Sequence, residues 1–467
     1  MKRSPNFLTW LDGASLALLV ATMCSQIDVK RLGRDTLAEG LGYASKTFSV
    51  ALSDVVFALV VVYFVARVIQ LRAWKRLWWP PLACWALIFA LLVSALHSPT
   101  ILAQMAKGGL LTKESKAALA DIVQWTAYFL VAPWIFVNLI HDRRAGELIS
   151  RRALAITTLG IAALLSGAAA LAQLELFKTD APRGLFSSAN VYCAFMAMVA
   201  PLLLESEGEG AGGLRGWITI LGVFVAAAFL FTGVSLWALI AFIIGAIAAV
   251  LTRQGGLKIT AYRLAFVAAF GLVALMSWRQ QLSLEPFRAP FLRLSDAKEP
   301  VKKQFIEWQV ATRFNTPGER AFATGFGPGN YQGNIGTLYQ YDSIPNEKKM
   351  PPDSNNLWLV QAMSIGVLGL GALIWVVAHF FGLAWRAVRT GAGDWLGAGV
   401  VGSLSAWIFV NFFHALIVRG AGLVLAFVFA LAVVAAQSAL LRCNETGVSS
   451  VQSGTGTPIK TKPKRKS

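Results

Sequence analysis

The residues best suited to chemistry lie in polar stretches of an otherwise apolar chain. One stretch, ATGFGPGNYQGNIGTLYQ, covers 323–340, and Asn355 and Asn356 follow it just before an apolar run. Its glycines permit positive φ angles and close backbone approach, and Asn330 tolerates the left-handed region. Amide side chains here can hydrogen-bond a sugar or a phosphate, although asparagine at such a position can also simply cap the helix predicted to start at Leu357.

A second polar stretch, APRGLFSSAN, covers 181–190 and precedes another apolar run. Arg183 stands just before that run, and Asn190 falls in the first turn of the predicted helix. Because the free amides of a helix point out of its first turn, an arginine at this place predicts an anion site. The alternative is an arginine that extends along its stem to the membrane surface.

A third group of candidates lies in the segment over 278–355, the one long connection between apolar runs. It holds ten basic and eight acidic residues, and Arg293 and Arg313 stand beside aromatic residues. The planar fork of arginine suits the oxygens of a diphosphate, whereas ion pairs with neighbouring carboxylates are the plainer interpretation. The spacing of Val301, Phe305 and Trp308 predicts a short amphipathic helix within this segment.

Proton transfer needs a base, and the chain offers three candidates near the same membrane face. Asp353 precedes Asn355 by two residues, and His414 and His97 lie near the ends of predicted spans. Any of the three could accept a proton from a hydroxyl group. A histidine at a helix end is also a common hydrogen-bonding residue of the membrane interface.

The elements that must position these residues are membrane helices. Of the 467 residues, 56% are hydrophobic and 14% are charged, which places the chain among integral membrane proteins. We predict an all-α polytopic fold of about twelve transmembrane helices, with a large extracytoplasmic loop between the ninth and the tenth. The predicted spans are 7–25, 50–70, 78–97, 118–140, 153–173, 187–204, 216–232, 234–252, 262–278, 356–382, 395–416 and 420–441.

The distribution of basic residues orients the predicted helices. With the N-terminus inside, the cytoplasmic segments hold 22 lysines and arginines, against 10 in the short outer loops. This bias predicts that both termini are cytoplasmic. The chain then divides into helices 1–9 over 1–277, a large loop on the outer side over 278–355, helices 10–12 over 356–441 and a basic, disordered cytoplasmic tail over 442–467.

The net charge of +18 is explained by topology and by attraction to lipid headgroups, so we expect membrane lipids and no nucleic acid as partners. The four cysteines, Cys24, Cys84, Cys193 and Cys443, fall in or beside different predicted helices without paired spacing. They are expected to be small apolar side chains, neither disulfides nor metal ligands.

The order and spacing of three motifs resemble the O-antigen ligase and polymerase family of bacterial membrane glycan transferases, over roughly 40–440. The matching residues are Arg183, Gly184, Phe186 and Asn190 in the first block, Gly325, Gly327, Gly329, Asn330 and Tyr331 in the second, and Asn356, Leu359, Gly366, Gly369 and Leu370 in the third. The resemblance implies a fold like that of the C-superfamily glycosyltransferases.

The resemblance also implies an activity: transfer of a glycan from an undecaprenyl diphosphate carrier to a glycan or lipid acceptor hydroxyl. The reaction would take place at the periplasmic face of the bacterial inner membrane, without a metal or another cofactor. Fixed arginines would stabilise the departing diphosphate. The expected substrate-binding residues are Arg183, Asn190, Arg293, Arg313, Asn330 and Asn356, and the expected catalytic residues are Asn355, His414 and Asp353.

This sequence departs from the family pattern at the position of the ligase histidine, where it has Asn355, whose amide cannot take up a proton. It also has Ala189 in place of a proline and Ser235-Leu236-Trp237 in place of Ser-Arg-Gly. Three alternatives therefore stay open. They are a polymerase of O-antigen or exopolysaccharide, a transporter of lipid-linked sugars, and an inactive scaffold member of the family.

Overall fold

The computed structural model describes residues 5–26, 51–72, 74–98, 101–102, 113–141, 145–176, 183–186, 188–205, 235–253, 305, 308–309, 319–331, 356–390, 395–416 and 421–445. Within these ranges the regular structure is helical. The helices are α1 Pro5–Met23, α2 Leu52–Leu71, α3 Leu82–His97, α4 Lys113–Thr126, α5 Ala132–Ile140, α6 Ala145–Glu175, α7 Ala189–Glu205, α8 Leu236–Thr252, α9 Glu319–Thr324, α10 Leu357–Arg389, α11 Trp395–Val410 and α12 Ala421–Glu445. A π-helical turn, Ala127–Val131, joins α4 to α5.

The prediction of an all-α membrane protein is confirmed for the described residues. In the described part of the chain, five helical stretches, such as Ala421–Leu441, are long and apolar enough to cross a membrane, and five apolar helices are shorter. The predicted spans 216–232 and 262–278 lie outside the described residues, so the count of twelve stays a prediction.

One predicted border, the start of the fifth span, differs from the structure because charged residues there are buried and have partners. The fifth span was expected to begin after Arg152, yet α6 begins at Ala145 and includes both Arg151 and Arg152. Both arginines are buried inside the bundle, where Arg151 pairs with Asp12 and Arg152 lies over the Trp395 ring at 5.2 Å. A charged residue marks the end of an apolar run only when it is not paired within the fold.

A seam of small residues sets the directions of α7, α8 and α11. A Cβ added to Gly245 on α8 would lie 2.7 Å from Gly402 O and 3.1 Å from Pro201 Cγ, so the three backbones nearly touch there. Ser403 Oγ of α11 also donates to Met198 O of α7 at 2.5 Å. Small residues permit this close approach.

Contacts along α11 run in reverse order along its neighbours: Gly399 lies by Leu202 and Ser403 by Met198 of α7, and Gly402 lies by Gly245 of α8 while His414, just after α11, lies by Ser235. Helix α11 therefore runs antiparallel to α7 and α8, and its end lies beside their starts.

We call this end of the bundle the upper end, defined by Ser235, Asn356 and His414. Leu357 N at the start of α10 donates to Asn411 O just after α11, at 2.9 Å. Gln26 N, beyond the end of α1, donates to Leu185 O before α7, also at 2.9 Å. The ends of α1 and α11 and the starts of α7, α8 and α10 therefore share one end.

The opposite, lower end contains a buried charge cluster. The side chain of Asp12 on α1 is fully buried, and its carboxylate accepts from Tyr63 Oη of α2 at 2.9 Å. Arg67 Nη2 and Arg151 Nη2 lie 2.6 Å and 3.2 Å from Asp12 Oδ2. Arg151 Nη1 also donates to Leu139 O at 2.9 Å. These bonds join α1, α2, α5 and α6.

Candidate functional site

The start of α10 is built by two asparagines. Asn356 Oδ1 accepts from Leu359 N at 3.1 Å, which makes Asn356 the N-cap of α10. Asn411 holds the turn after α11, because its Oδ1 accepts from Leu416 N at 3.0 Å and its Nδ2 donates to Trp407 O at 2.8 Å. The capping role of Asn356, one of the two interpretations of the sequence, is confirmed; a role in substrate binding stays a prediction.

His414 lies in the same turn, beyond the end of α11, and it is buried. Its Nε2 lies 3.2 Å from Ser235 Oγ, which also accepts from Ala238 N at 3.3 Å as the N-cap of α8. Burial lowers the pKa of His414 to about 4, because the surroundings disfavour the imidazolium. The imidazole is therefore neutral at pH 7 and able to accept a proton.

Sequence reasoning did not single out Ser235 as a site residue. The sequence does carry a local signal, a serine directly before an apolar run, which is typical of a helix N-cap. Its bond to His414 spans 179 positions of the chain, and no local pattern predicts such a pair. The other histidine predicted as a candidate base, His97, is exposed, with Nδ1 3.0 Å from Val93 O of its own helix.

Aromatic rings enclose this corner. Trp237 stacks on Phe413 with ring centroids 3.5 Å apart, and Trp308 lies 5.3 Å from the same phenyl ring. Phe305 and Trp308, both in helical conformation, are themselves 5.0 Å apart. The long segment 278–355 therefore reaches the upper end through the residues predicted to form its amphipathic helix.

Arg183 is positioned through its backbone by one side chain of α6. Gln173 Oε1 accepts from Arg183 N at 2.8 Å and from Gly184 N at 3.1 Å, while Gln173 Nε2 donates to Gly184 O at 2.9 Å. The Gln173 side chain is buried and the Arg183 side chain is half-buried. Asn190 is exposed in the first turn of α7. Both predicted anion-binding residues therefore lie at the upper end.

The glycine-rich turn after α9 docks against a break in α10. Phe326 N donates to Met363 O at 2.9 Å and Gly327 N donates to Ser364 O at 2.8 Å. Gly366 takes φ 68° and ψ −175° within α10, a conformation essentially restricted to glycine. A Cβ on Gly366 would lie 2.2 Å from Ala323 O. The backbone of α10 at Gly366 is therefore in direct contact with the backbone at the end of α9.

Helix α3 completes this junction. Ser94 Oγ donates to Thr324 O at 2.5 Å and lies 3.1 Å from Ser364 O, and Ser98 Oγ donates to Phe326 O. Hydroxyl groups at the end of α3 thus donate hydrogen bonds to carbonyl groups of both the turn and the broken helix.

The side chain of Asn330 takes part in the glycine-rich turn itself. The predicted positive φ is found at Gly325, Gly327 and Gly329, but not at Asn330. The Asn330 side chain is buried, and its Nδ2 donates to Pro328 O at 3.1 Å. The amide holds the turn that the glycines begin, and its role in substrate binding stays a prediction.

The remaining predicted site residues, Arg293, Arg313, Asp353 and Asn355, lie outside the described residues. Of those described, the structure brings Asn356 and His414 to one corner with Ser235. It places Arg183 and Asn190 at the same end, before and in α7. Cys24, Cys84 and Cys193 are buried in the bundle, as expected for small apolar side chains.

No protein-family model matches this chain, and no curated protein matches it.

Proposed function

We propose that this protein is a membrane glycosyltransferase of the O-antigen ligase kind, which moves a glycan from an undecaprenyl diphosphate carrier to an acceptor hydroxyl. The observation that carries the proposal is a buried, neutral His414 fixed by Ser235 at the bundle end where Arg183 is held by Gln173. A base, and a cation whose backbone is fixed, at one end of a helical bundle suit a reaction that removes a proton and releases an anion.

In the proposed reaction the acceptor oxygen forms a bond to the anomeric carbon of the glycan. The bond between that carbon and the carrier's phosphate oxygen breaks, and the electron pair leaves with the diphosphate. The acceptor proton passes to His414. In the Nε2–H tautomer the ring donates to Ser235 Oγ and keeps the lone pair of Nδ1 for this proton.

Electrostatics would link the two halves of the reaction. Arg183 would stabilise negative charge that develops on the diphosphate, and Asn190 would hydrogen-bond the same group. A bound diphosphate places negative charge at the upper end and thereby raises the pKa of the nearby imidazole toward neutrality. His414 would then be a stronger base in the substrate complex than in the free protein.

The direct test is transfer from a purified undecaprenyl diphosphate glycan to candidate acceptors in proteoliposomes. We expect Arg183→Ala and His414→Gln each to lower transfer at least about 100-fold, the usual contribution of such groups. His97→Gln is the matched control, because it removes an exposed imidazole from a helix end and should transfer normally. Normal transfer by His414→Gln would disprove the proposed base.

The product and one further variant distinguish the alternatives. A capped acceptor indicates a ligase, and a lengthened glycan indicates a polymerase. Activity that appears only in Asn355→His would identify an inactive descendant of a ligase. Movement of the intact lipid-linked sugar across the bilayer, without transfer, would instead establish a transporter.

A further inference from the structure

A second candidate site lies at the lower end of the bundle, where α2 ends. Arg72 follows α2 with φ 49° and ψ 38°, and its N–H closes the helix by donating to Ile69 O at 3.2 Å. Among the described residues other than glycine, it is the one with a positive φ. Glycine is the usual residue at such a helix end, so this backbone is strained for arginine.

The turn after Arg72 presents more positive charge. Lys75 and Arg76 form a short 3₁₀ turn with Trp74, and both are exposed, as is Arg72. In the described part of the chain, none of these three cations forms an ion pair with a carboxylate. Three like charges within five positions repel one another, which favours an external anion as their partner.

Tryptophan side chains flank these cations. Trp74 and Trp79 are exposed and stack with ring centroids 6.5 Å apart. The segment is fixed to α5, because Trp78 N donates to Asn138 Oδ1 at 2.9 Å and Asn138 Nδ2 donates to Trp78 O at 3.0 Å. Exposed tryptophans beside cations at a helix end are typical of the level of lipid headgroups.

We propose that Arg72, Trp74, Lys75, Arg76 and Trp79, which we call the Arg72 patch, bind the phosphate of an anionic phospholipid. The apolar residues just before the patch, Ile69 and Leu71, are also exposed, so acyl chains would pass beside α2 while the headgroup meets the cations. A soluble anion would gain nothing from this apolar flank. The strained arginine is explained if its guanidinium contributes to lipid binding.

The test uses the purified full-length protein and measures its thermal unfolding while phosphatidylglycerol or phosphatidylcholine is added to the detergent. We expect phosphatidylglycerol to raise the melting temperature more than phosphatidylcholine does. The double variant Lys75→Ala/Arg76→Ala should lose most of this difference. The matched control is Arg386→Ala/Arg389→Ala, which removes two exposed cations from the end of α10, also at the lower end.

Arg72→Gly separates binding from folding. It relieves the backbone strain, so its melting temperature in phosphatidylcholine should equal or exceed that of the natural protein, while its response to phosphatidylglycerol falls. A lower melting temperature in phosphatidylcholine would show a structural arginine and overturn the proposal. Equal losses in the two double variants would indicate diffuse attraction, and the same shift with inorganic phosphate alone would indicate a soluble anion; either result overturns it.

Discussion

Ser235 Oγ and His414 Nε2 lie 3.2 Å apart, and their bond ties the start of α8 to the turn that follows α11. Because Ser235 Oγ also accepts from Ala238 N, the hydroxyl is fixed by the helix and in turn fixes the ring. A buried imidazole that is held in this way has one nitrogen committed to the protein. The proposed transfer reaction uses the other nitrogen, Nδ1.

The buried histidine predicts a pH dependence of stability. The pKa of His414 is lowered to about 4 in the fold and is about 6.5 in the unfolded chain, so between these values the unfolded chain binds the extra proton. The contribution of neutral His414 to the free energy of unfolding is fully present above about pH 6.5. It is lost as the pH falls toward 4, and the total loss is about 3 kcal/mol. Thermal unfolding in detergent between pH 7 and pH 4 measures the loss.

His414→Gln supplies the control for this prediction. It removes the titrating ring and keeps a side chain that can hydrogen-bond Ser235, so its melting temperature should fall less over the same pH range. Carboxylates elsewhere in the chain titrate alike in both proteins, and the difference between the two curves isolates His414. Parallel curves would show that the ring does not titrate as described.

The break in α10 predicts a strong dependence on glycine. Gly366→Ala places a methyl group 2.2 Å from Ala323 O and strains a glycine-only conformation, so we expect a loss of about 2–5 kcal/mol. Gly371→Ala in the same helix meets nothing within 4 Å and should be neutral or slightly stabilising. Thermal unfolding compares the two variants, and equal melting temperatures would argue against the docked turn.

The sequence was sufficient for features with a local cause. Apolar composition predicts a helical membrane protein, and glycine predicts the positive φ angles at 325, 327 and 329. Asparagine before an apolar run predicts the cap at Asn356. Each of these depends on a residue and its immediate neighbours, which is why a sequence pattern can indicate it.

The features that were missed depend on tertiary contacts. The apolar pattern of the predicted span 7–25 does not indicate that the carboxylate of Asp12 is the centre of a buried cluster with Tyr63, Arg67 and Arg151. Gln173 showed no local pattern, and its role depends on a turn that begins ten positions later. Hydrogen bonds between distant helices have no fixed spacing, so periodicity cannot predict them.

The Asp12 cluster predicts an unequal cost of two small changes. Asp12→Asn leaves Arg67 and Arg151 without their carboxylate in a buried place, and we expect a loss of about 3–5 kcal/mol. Tyr63→Phe removes one hydrogen bond to the same carboxylate and should cost about 1 kcal/mol. The comparison is made by thermal unfolding, and equal effects would show that the ion pairs contribute little.

The last prediction concerns Gln173 and depends on the proposed transfer reaction. Gln173→Met keeps the length of the side chain but removes its three hydrogen bonds to the backbone of Arg183 and Gly184. Arg183 keeps its charge but loses the hydrogen bond that fixes its backbone. We therefore expect the affinity for the lipid diphosphate to fall by a smaller factor than kcat. We expect kcat to drop about 10- to 100-fold.

Ser166→Ala is the matched control for Gln173→Met. It removes one bond to the same turn, from Leu185 N to Ser166 Oγ at 3.3 Å, and leaves the clamp on Arg183 intact. Its turnover should stay within a few-fold of the natural protein, since the backbone of Arg183 keeps its hydrogen bonds to Gln173. If both variants lose turnover equally, the turn as a whole matters for folding and Gln173 has no special role in positioning Arg183.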